Sequence, residues 1–231
     1  MADARSKPAD ANAAHRARLR EKMLVAGGAG FADYELLEYL LALAIPRIDT
    51  KPIAKALIAE FGELAAVLAA PPEALQRIER VGPAAAAALK FVEAAALRAS
   101  RIGAESRPAI AGSDALMAYL HAAHAHLTRE EVRVLFLDSK NQLIKDEVIA
   151  AGTINQATVH VREVVRRAIE LGAAALILVH NHPSGDPTPS GADIALTRDI
   201  VTAARLFDVA VHDHFIIGRG GHTSLRGAGL M

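Results

Sequence analysis

Two histidines and one aspartate in the second half of the chain are spaced so that they could bind one metal ion. His180 and His182 stand two residues apart after an apolar run, residues 174–179, that predicts a buried strand. Side chains at positions i and i+2 of a strand share one face, so the two imidazoles can converge. A loop rich in Pro and Gly, residues 183–189, then leads into a helix whose first turn contains Asp193. Asp193 is therefore a candidate third ligand.

Two imidazoles and one carboxylate form the ligand set of a catalytic zinc site, which leaves the fourth position to water. The chain has no Cys, so a metal must be held by His and carboxylates. Zinc lowers the pKa of its water to about 7, which makes a nucleophile at neutral pH. The plainer alternative is that the two His are polar residues at the end of a strand. Ser190 would then cap the next helix, and Asp193 would stabilise the positive end of that helix. We prefer the metal site because buried polar groups on a strand need partners.

The elements that must position these residues mix strands with helices. Hydrophobic periodicity and turn residues predict, in order, a helix from Ser113 or Asp114 to about His126, strands over 131–137 and 143–149, a helix over 161–171, a strand over 174–179, a helix over 190–207 and a strand over 209–217. Such a mixture predicts an α/β or α+β domain, which we place at residues 113–231.

The first half of the chain has the pattern of short helices and no strand pattern. Asp33 can cap a helix that Pro46 ends, Gly62 can close the next one, and Pro83 begins an Ala-rich helix that runs to about Arg101. We therefore predict a small all-helical domain over residues 1–102. Gly, Ser and Pro with little periodicity predict a linker over residues 103–112.

The stretch from His180 to Asp193 resembles a known motif. His-Asn-His-Pro-Ser-Gly followed by Pro-Ser-x-x-Asp is similar to the JAMM pattern His-x-His-x7-Ser-x-x-Asp of JAB/MPN-domain metalloproteases, and looks like the RadC family of bacterial JAB-like proteins. The segments 151–153 and 213–218 and the helical first half fit that family as well. The resemblance implies a JAB/MPN-like fold, zinc held by His180, His182 and Asp193, and an oxyanion-stabilising role for Ser190.

JAMM proteins also use a glutamate from an earlier strand as general base. The family pattern of Glu, Val, one further residue and an apolar strand matches Glu131 and the residues after it, so Glu131 is our first candidate. Glu130 is the next candidate, and Glu163 is a third on a predicted helix. Deubiquitinating JAMM enzymes usually have Ser or Thr between the two His, whereas this chain has Asn181. That difference weakens any transfer of ubiquitin-type substrates.

Two other groups of His require an interpretation. His121, His124 and His126 lie on a predicted helix and its end, where we expect a solvated face. His212 and His214 share a strand face, and they are either partners that orient a metal ligand or a buried pair satisfied by backbone.

A segment near residue 80 resembles a helix-hairpin-helix, in which a Gly-apolar-Gly turn presents backbone N–H groups to a DNA phosphate. Gly82 fits the second glycine, but Arg80 replaces the first and the following helix is mostly Ala. DNA binding through residues 75–90 is therefore one hypothesis, and a packing or protein-interaction role is the other.

Composition limits the function classes. The 231 residues include 26 basic and 26 acidic side chains, so net charge gives nucleic-acid binding no support. No apolar stretch approaches the roughly 18 residues of a membrane span, and we expect a cytoplasmic protein without membrane contact. Our first hypothesis is a zinc-dependent metallopeptidase or isopeptidase acting on an unidentified peptide or protein. The alternative is a DNA-associated factor, linked to repair as the family is, in which the metal domain is structural or acts on DNA.

Overall fold

The chain contains nine α-helices, one short 3₁₀ helix and five strands in the part that the structure describes. A computed structural model describes residues 8–46, 48–105, 113–152 and 159–231. It divides into two compact units, Met1–Ala95 and Ala96–Met231. Within the described ranges, no helix is both long enough and apolar enough to cross a membrane.

The first unit is helical, as the sequence predicts. Its elements are α1 (Pro8–Ala26), a short 3₁₀ helix (Gly28–Gly30), α2 (Asp33–Ala44), α3 (Lys51–Phe61), α4 (Leu64–Ala69), α5 (Pro72–Leu75) and the beginning of α6 (Pro83–Glu105). Leu37, Leu41, Leu57 and Leu89 are fully buried in its core. Because this core has no Trp or Phe at its centre, it depends on close packing of Leu, Ile, Val and Ala.

The second unit contains one five-stranded sheet with helices on both faces. Its elements are α7 (Ser113–His124), β1 (Glu131–Leu137), β2 (Leu143–Ala151), α8 (Val161–Leu171), β3 (Ala175–Asn181), α9 (Gly191–Arg205), β4 (Ala210–Gly218) and β5 (Gly221–Ser224). The strand order is β2-β1-β3-β4-β5. Only β3 and β4 run parallel, and α9 connects them, whereas the other neighbours are antiparallel.

The pleat of the sheet separates two cores. Leu135 and Leu137 of β1 pack with Ile177 and Val179 of β3 on the face that α7 covers. The alternate residues, Val134 and Phe136 of β1 with Leu176 and Leu178 of β3, pack against α8 and α9 on the other face. Because side chains alternate along a strand, His180 lies on the same face as Leu178, toward α9. We call this the α9 face and the other the α7 face.

The structure differs from the sequence predictions at several element ends. The sequence predicts a helix from Pro72 to about Ile78, which ends at Leu75 in the structure, and β5 was not predicted. Both follow from local patterns that are too short for periodicity to decide. In the predicted linker, residues 103–105 belong to α6, while residues 106–112 lie outside the described residues. Thr153, part of the family resemblance, also lies outside them.

His124 contradicts the prediction of a solvated His group. It is only 2% exposed, and its Nε2 has no hydrogen-bond partner among the residues that the structure describes. The physical reason is that α7 covers the sheet, so the last turn of α7 faces the half-buried Arg133 and the buried Asp146, whose charges act on the His124 ring.

Candidate metal centre

The three predicted ligands come together at the end of the central strand. His180 Nδ1 lies 3.0 Å from Asp193 Oδ1, and His182 Nε2 lies 3.5 Å from Asp193 Oδ2. The His180 and His182 rings are nearly perpendicular, with centroids 5.0 Å apart. One ligand atom from each of the three residues lies within 4.8 Å of the others, so the group could hold a metal ion.

Local structure fixes each of these side chains. β3 is buried along its whole length, and His180 is its second-last residue, so the imidazole lies at the rim of the sheet. The backbone N–H of His182 donates to the carbonyl of Ile217 on β4, so the chain still follows the sheet one residue beyond β3. His182 Nδ1 lies 2.8 Å from the carbonyl oxygen of Asp186. Since that carbonyl can only accept, Nδ1 carries the hydrogen and Nε2 is left to face Asp193.

Asp193 is held by the start of α9. The Ser190 hydroxyl accepts from the Asp193 backbone N–H, and the Asp193 carboxylate accepts from the Ser190 N–H at 2.7 Å. This reciprocal pair is a capping box, which satisfies backbone donors at the helix start. The same contacts direct the carboxylate toward the two His.

The cluster fits a cation on its own geometry. The Nε2 of His180 donates to the carboxylate of Glu130, so the neutral ring has an acceptor at Nδ1. That buried Nδ1 has no hydrogen-bond partner in the described chain and faces the acceptor Asp193 Oδ1. Two acceptors that face each other in a buried cluster are stabilised by a cation between them. Two imidazole nitrogens and a carboxylate, with no sulfur, match the ligands that zinc accepts in open sites.

The electrostatics of the cluster favour a charged carboxylate. Burial raises the pKa of Asp193, but the close contacts with His180, His182 and Ser190 outweigh it and hold the pKa well below its usual range. The neighbouring Asp193 carboxylate raises the pKa of His182, against the opposing effect of burial. Asp193 is therefore ionised at neutral pH, as a metal ligand must be.

Glu130, and not Glu131, lies beside the candidate metal ligands. Glu130 Oε1 is 2.6 Å from His180 Nε2. The prediction of Glu131 does not fit this geometry, because Val132 pairs with His180 and alternation then places residue 131 on the α7 face. There the Glu131 carboxylate accepts from Arg133 at 2.9 Å. Glu163, the third candidate, pairs instead with Arg166 on α8 at 3.0 Å.

A family comparison agrees with this fold and site. The model of the RadC-like JAB domain matches residues 110–230, which is more than half of the chain and includes every strand and all three ligands. The chain belongs to the RadC family. The RadC-like JAB domain here is thus the second unit, with its helix-flanked five-stranded sheet.

Ser190 of the RadC-like JAB domain acts on Asp193 in this structure. Its hydroxyl lies 2.6 Å from Asp193 Oδ2 and donates to it. A hydroxyl has one hydrogen, so Ser190 cannot donate to an oxyanion while this contact is made. The oxyanion role implied by the resemblance stays a prediction that requires the hydroxyl to rotate.

His214 of the RadC-like JAB domain lies next to the candidate ligand His180. The sequence left open whether His214 orients a ligand or belongs to a buried pair. The His214 ring stacks on His180 with centroids 6.2 Å apart, and its Nδ1 lies 2.6 Å from the hydroxyl of Thr197. That hydroxyl also donates to the Asp193 carbonyl at 2.5 Å. Burial lowers the pKa of His214 to about 3, so the ring is neutral. The sequence did not suggest a role for Thr197. Its position four residues after Asp193 on a predicted helix could have indicated that the two residues are neighbours.

His212 does not join this group. Its Nε2 lies 2.6 Å from the Asn141 side-chain oxygen in the turn between β1 and β2. The two His of β4 therefore have separate environments, even though they are two residues apart.

Proposed function

We propose that this chain is a zinc-dependent hydrolase that cleaves peptide or isopeptide bonds. The observation that supports it best is that the three candidate ligands and Glu130 meet at one rim of the sheet. Membership in the RadC family agrees with a JAMM-type site in general terms. The four side chains supply the two functions that metal-assisted hydrolysis needs, which are a metal site and a proton acceptor beside it.

His180, His182 and Asp193 would hold the ion. Zinc bound there would act as a Lewis acid that polarises a substrate carbonyl and makes a water molecule nucleophilic at neutral pH. Asp193 contributes negative charge, and Ser190 keeps its carboxylate oriented. His182 is the most exposed of the three ligands, with 18% of its side chain accessible, so a substrate would approach from its side.

Glu130 would act as the general base. Its side chain is 14% exposed, so it is partly desolvated and still accessible from outside. In this role it would take a proton from the attacking water and give it to the leaving amine. The contact between Glu130 and His180 also suits a second role, in which the carboxylate orients the ligand ring. The two roles differ in whether loss of Glu130 weakens zinc binding.

Cleavage of unselected peptides tests this function without knowledge of the natural substrate. The zinc-loaded protein is incubated with a mixed-sequence peptide library, and products are identified by mass spectrometry. We expect the wild type to cleave peptides, a chelator to abolish this cleavage and added zinc to restore it. Asp193→Asn should not cleave. Cleavage that persists in Asp193→Asn would come from a contaminant or from another site and would contradict the proposal.

DNA association remains the second candidate function. Arg80, at the position of the first hairpin glycine, has a positive φ of 68°, a conformation that glycine adopts most easily. The turn therefore has a glycine-like backbone at this point. DNA binding by residues 75–90 would weaken with salt and would be lost in Arg80→Glu. The control is Arg98→Glu, which lies outside that segment. If both variants reduce DNA binding equally, the hairpin is excluded as the DNA site.

A further inference from the structure

Asn181, between the two His ligands, makes two hydrogen bonds that flank Glu130. Its side-chain oxygen accepts from the backbone N–H of Glu131 at 2.8 Å, and its side-chain nitrogen donates to the carbonyl of Arg129 at 2.9 Å. Asn181 is 1% exposed, and alternation along β3 directs it to the α7 face, away from the metal cluster. One amide thus holds the chain on both sides of the general base.

Regular strand pairing does not hold Glu130 in place. β1 begins at Glu131, and the pairing of β1 with β3 ends at Val132 and His180. Beyond that pair, the Asn181 side chain takes the place of a β3 backbone partner for the Glu131 N–H and the Arg129 carbonyl. On the other side, the Gly152 N–H donates to the Glu130 carbonyl at 2.9 Å. Apart from the contact of its own carboxylate with His180, Glu130 therefore depends on Asn181 for the connection of its backbone to β3.

We propose that Asn181 is a positioning residue that fixes Glu130 relative to His180. The inference rests on the proposed function, in which Glu130 is the general base. A side-chain amide offers one acceptor and one donor in the same plane, as a backbone peptide group does. Ser and Ala at this position cannot reach both partners. An Asn at this site therefore connects the metal-binding strand to the base through one rigid contact.

A purely structural role for Asn181 is the alternative, and the same face of the sheet offers a control. Tyr119 donates to Asp146 at 2.6 Å there, and both side chains are buried. This bond joins α7 to β2 and does not touch Arg129 or Glu131 directly. Asp146 is linked to Glu131 through Arg133, but those hydrogen bonds do not involve the Tyr119 hydroxyl. Tyr119→Phe therefore removes a buried hydrogen bond from the α7 face and leaves the connection between Asn181 and Glu130 intact.

The contact between His180 and Glu130 can be followed in the metal-free protein by NMR of ¹⁵N-labelled His. We expect a downfield His180 ring N–H signal that Glu130→Gln shifts. Asn181→Ala and the milder Asn181→Ser should shift it in the same way, whereas Tyr119→Phe should leave it in place while lowering the melting temperature. A wild-type signal in either folded Asn181 variant, or no such signal in the wild type, would overturn the proposal.

Turnover supplies a second readout that separates the two hypotheses. In zinc-loaded Asn181→Ser, we expect unchanged zinc content and a kcat on a cleaved library peptide about 10- to 100-fold lower. Unchanged kcat there would contradict the positioning role. If the loaded wild type cleaves no peptide, the proposed function fails, and the NMR result still decides whether Asn181 positions Glu130.

Discussion

The carboxylate of Glu130 lies 2.6 Å from Nε2 of His180, although 50 residues separate them in the chain. The contact crosses from the start of β1 to the end of β3, the two strands at the centre of the sheet. It places the carboxylate of Glu130 and the candidate metal ligand His180 on the same face. Glu131, one residue later, is on the opposite face with Arg133.

This alternation predicts opposite results for two matched substitutions. Glu130→Gln should retain zinc and lose turnover by about 10²- to 10⁴-fold, because the amide cannot accept the proton. Glu131→Gln should keep most of the activity, because its carboxylate contacts Arg133 on the other face. Turnover on a library peptide and zinc content should be measured together. Zinc lost from Glu130→Gln would indicate that Glu130 orients His180, and a larger activity loss in Glu131→Gln would reverse our assignment.

Ser190→Ala should weaken the helix start and the metal site together. Loss of an N-cap side chain costs about 1 kcal/mol, and the hydroxyl's contact with Asp193 is lost as well. We expect a lower melting temperature and zinc affinity reduced by about 10-fold. Ser139→Ala, at an exposed position in the turn between β1 and β2, is the control that should change neither. Wild-type affinity in Ser190→Ala would show that the hydroxyl does not support Asp193.

Gly218→Ala should displace the loop that leads to Asp193. A Cβ at this position would lie 2.3 Å from the Gly185 carbonyl oxygen, so the backbone of the loop must move. Crowding of this kind costs about 1–3 kcal/mol, and we expect weaker zinc binding because His182 and Asp193 lie on either side of the loop. Gly220→Ala meets no atom within 4 Å and is the control. Equal zinc affinities in the two variants would contradict the close contact.

His124 predicts how stability changes in acid. Burial, reinforced by the charge of Arg133, lowers the pKa of His124 to about 4, whereas an unfolded His titrates near 6.5. The unfolded chain therefore binds the proton first as pH falls. The free energy of unfolding should decrease between pH 6.5 and about 4, by at most about 1.4 kcal/mol per pH unit from this residue.

Urea unfolding at several pH values, with a chelator present, measures this effect. His124→Gln should flatten the decrease between pH 6.5 and 4, while His222→Gln, at an exposed position, should not. The prediction fails if the slope of His124→Gln equals that of the wild type.

The sequence was sufficient to predict that His180, His182 and Asp193 come together as candidate metal ligands. They are close in the chain, and their spacing fits two positions on one face of a strand end followed by a helix start. The sequence was also sufficient for the order of the main strands and helices in the second unit. The sequence favoured Glu131 as general base, whereas Glu130, one residue earlier, lies beside His180, since the phase of β1 relative to His180 is set by its pairing with β3. A slip of one residue moves a side chain to the other face.

The burial of His124 and the contacts of Asn181 could not be predicted for a related reason. Both depend on partners that are distant in the chain, Arg133 and Asp146 for His124 and the start of β1 for Asn181. Periodicity reports which face of an element is apolar, but it does not report which element covers that face. Thr197 and His214 were placed beside the site by the parallel pairing of β3 and β4 for the same reason.

Metal content tests the central claim most directly. The purified protein should be supplied with zinc at neutral pH, desalted and analysed beside His180→Ala/His182→Ala and the exposed control His222→Ala. We predict about one zinc ion per chain in the wild type and in His222→Ala, and none in the double variant. A wild type that retains no zinc, or a double variant that retains as much as the wild type, would contradict the account.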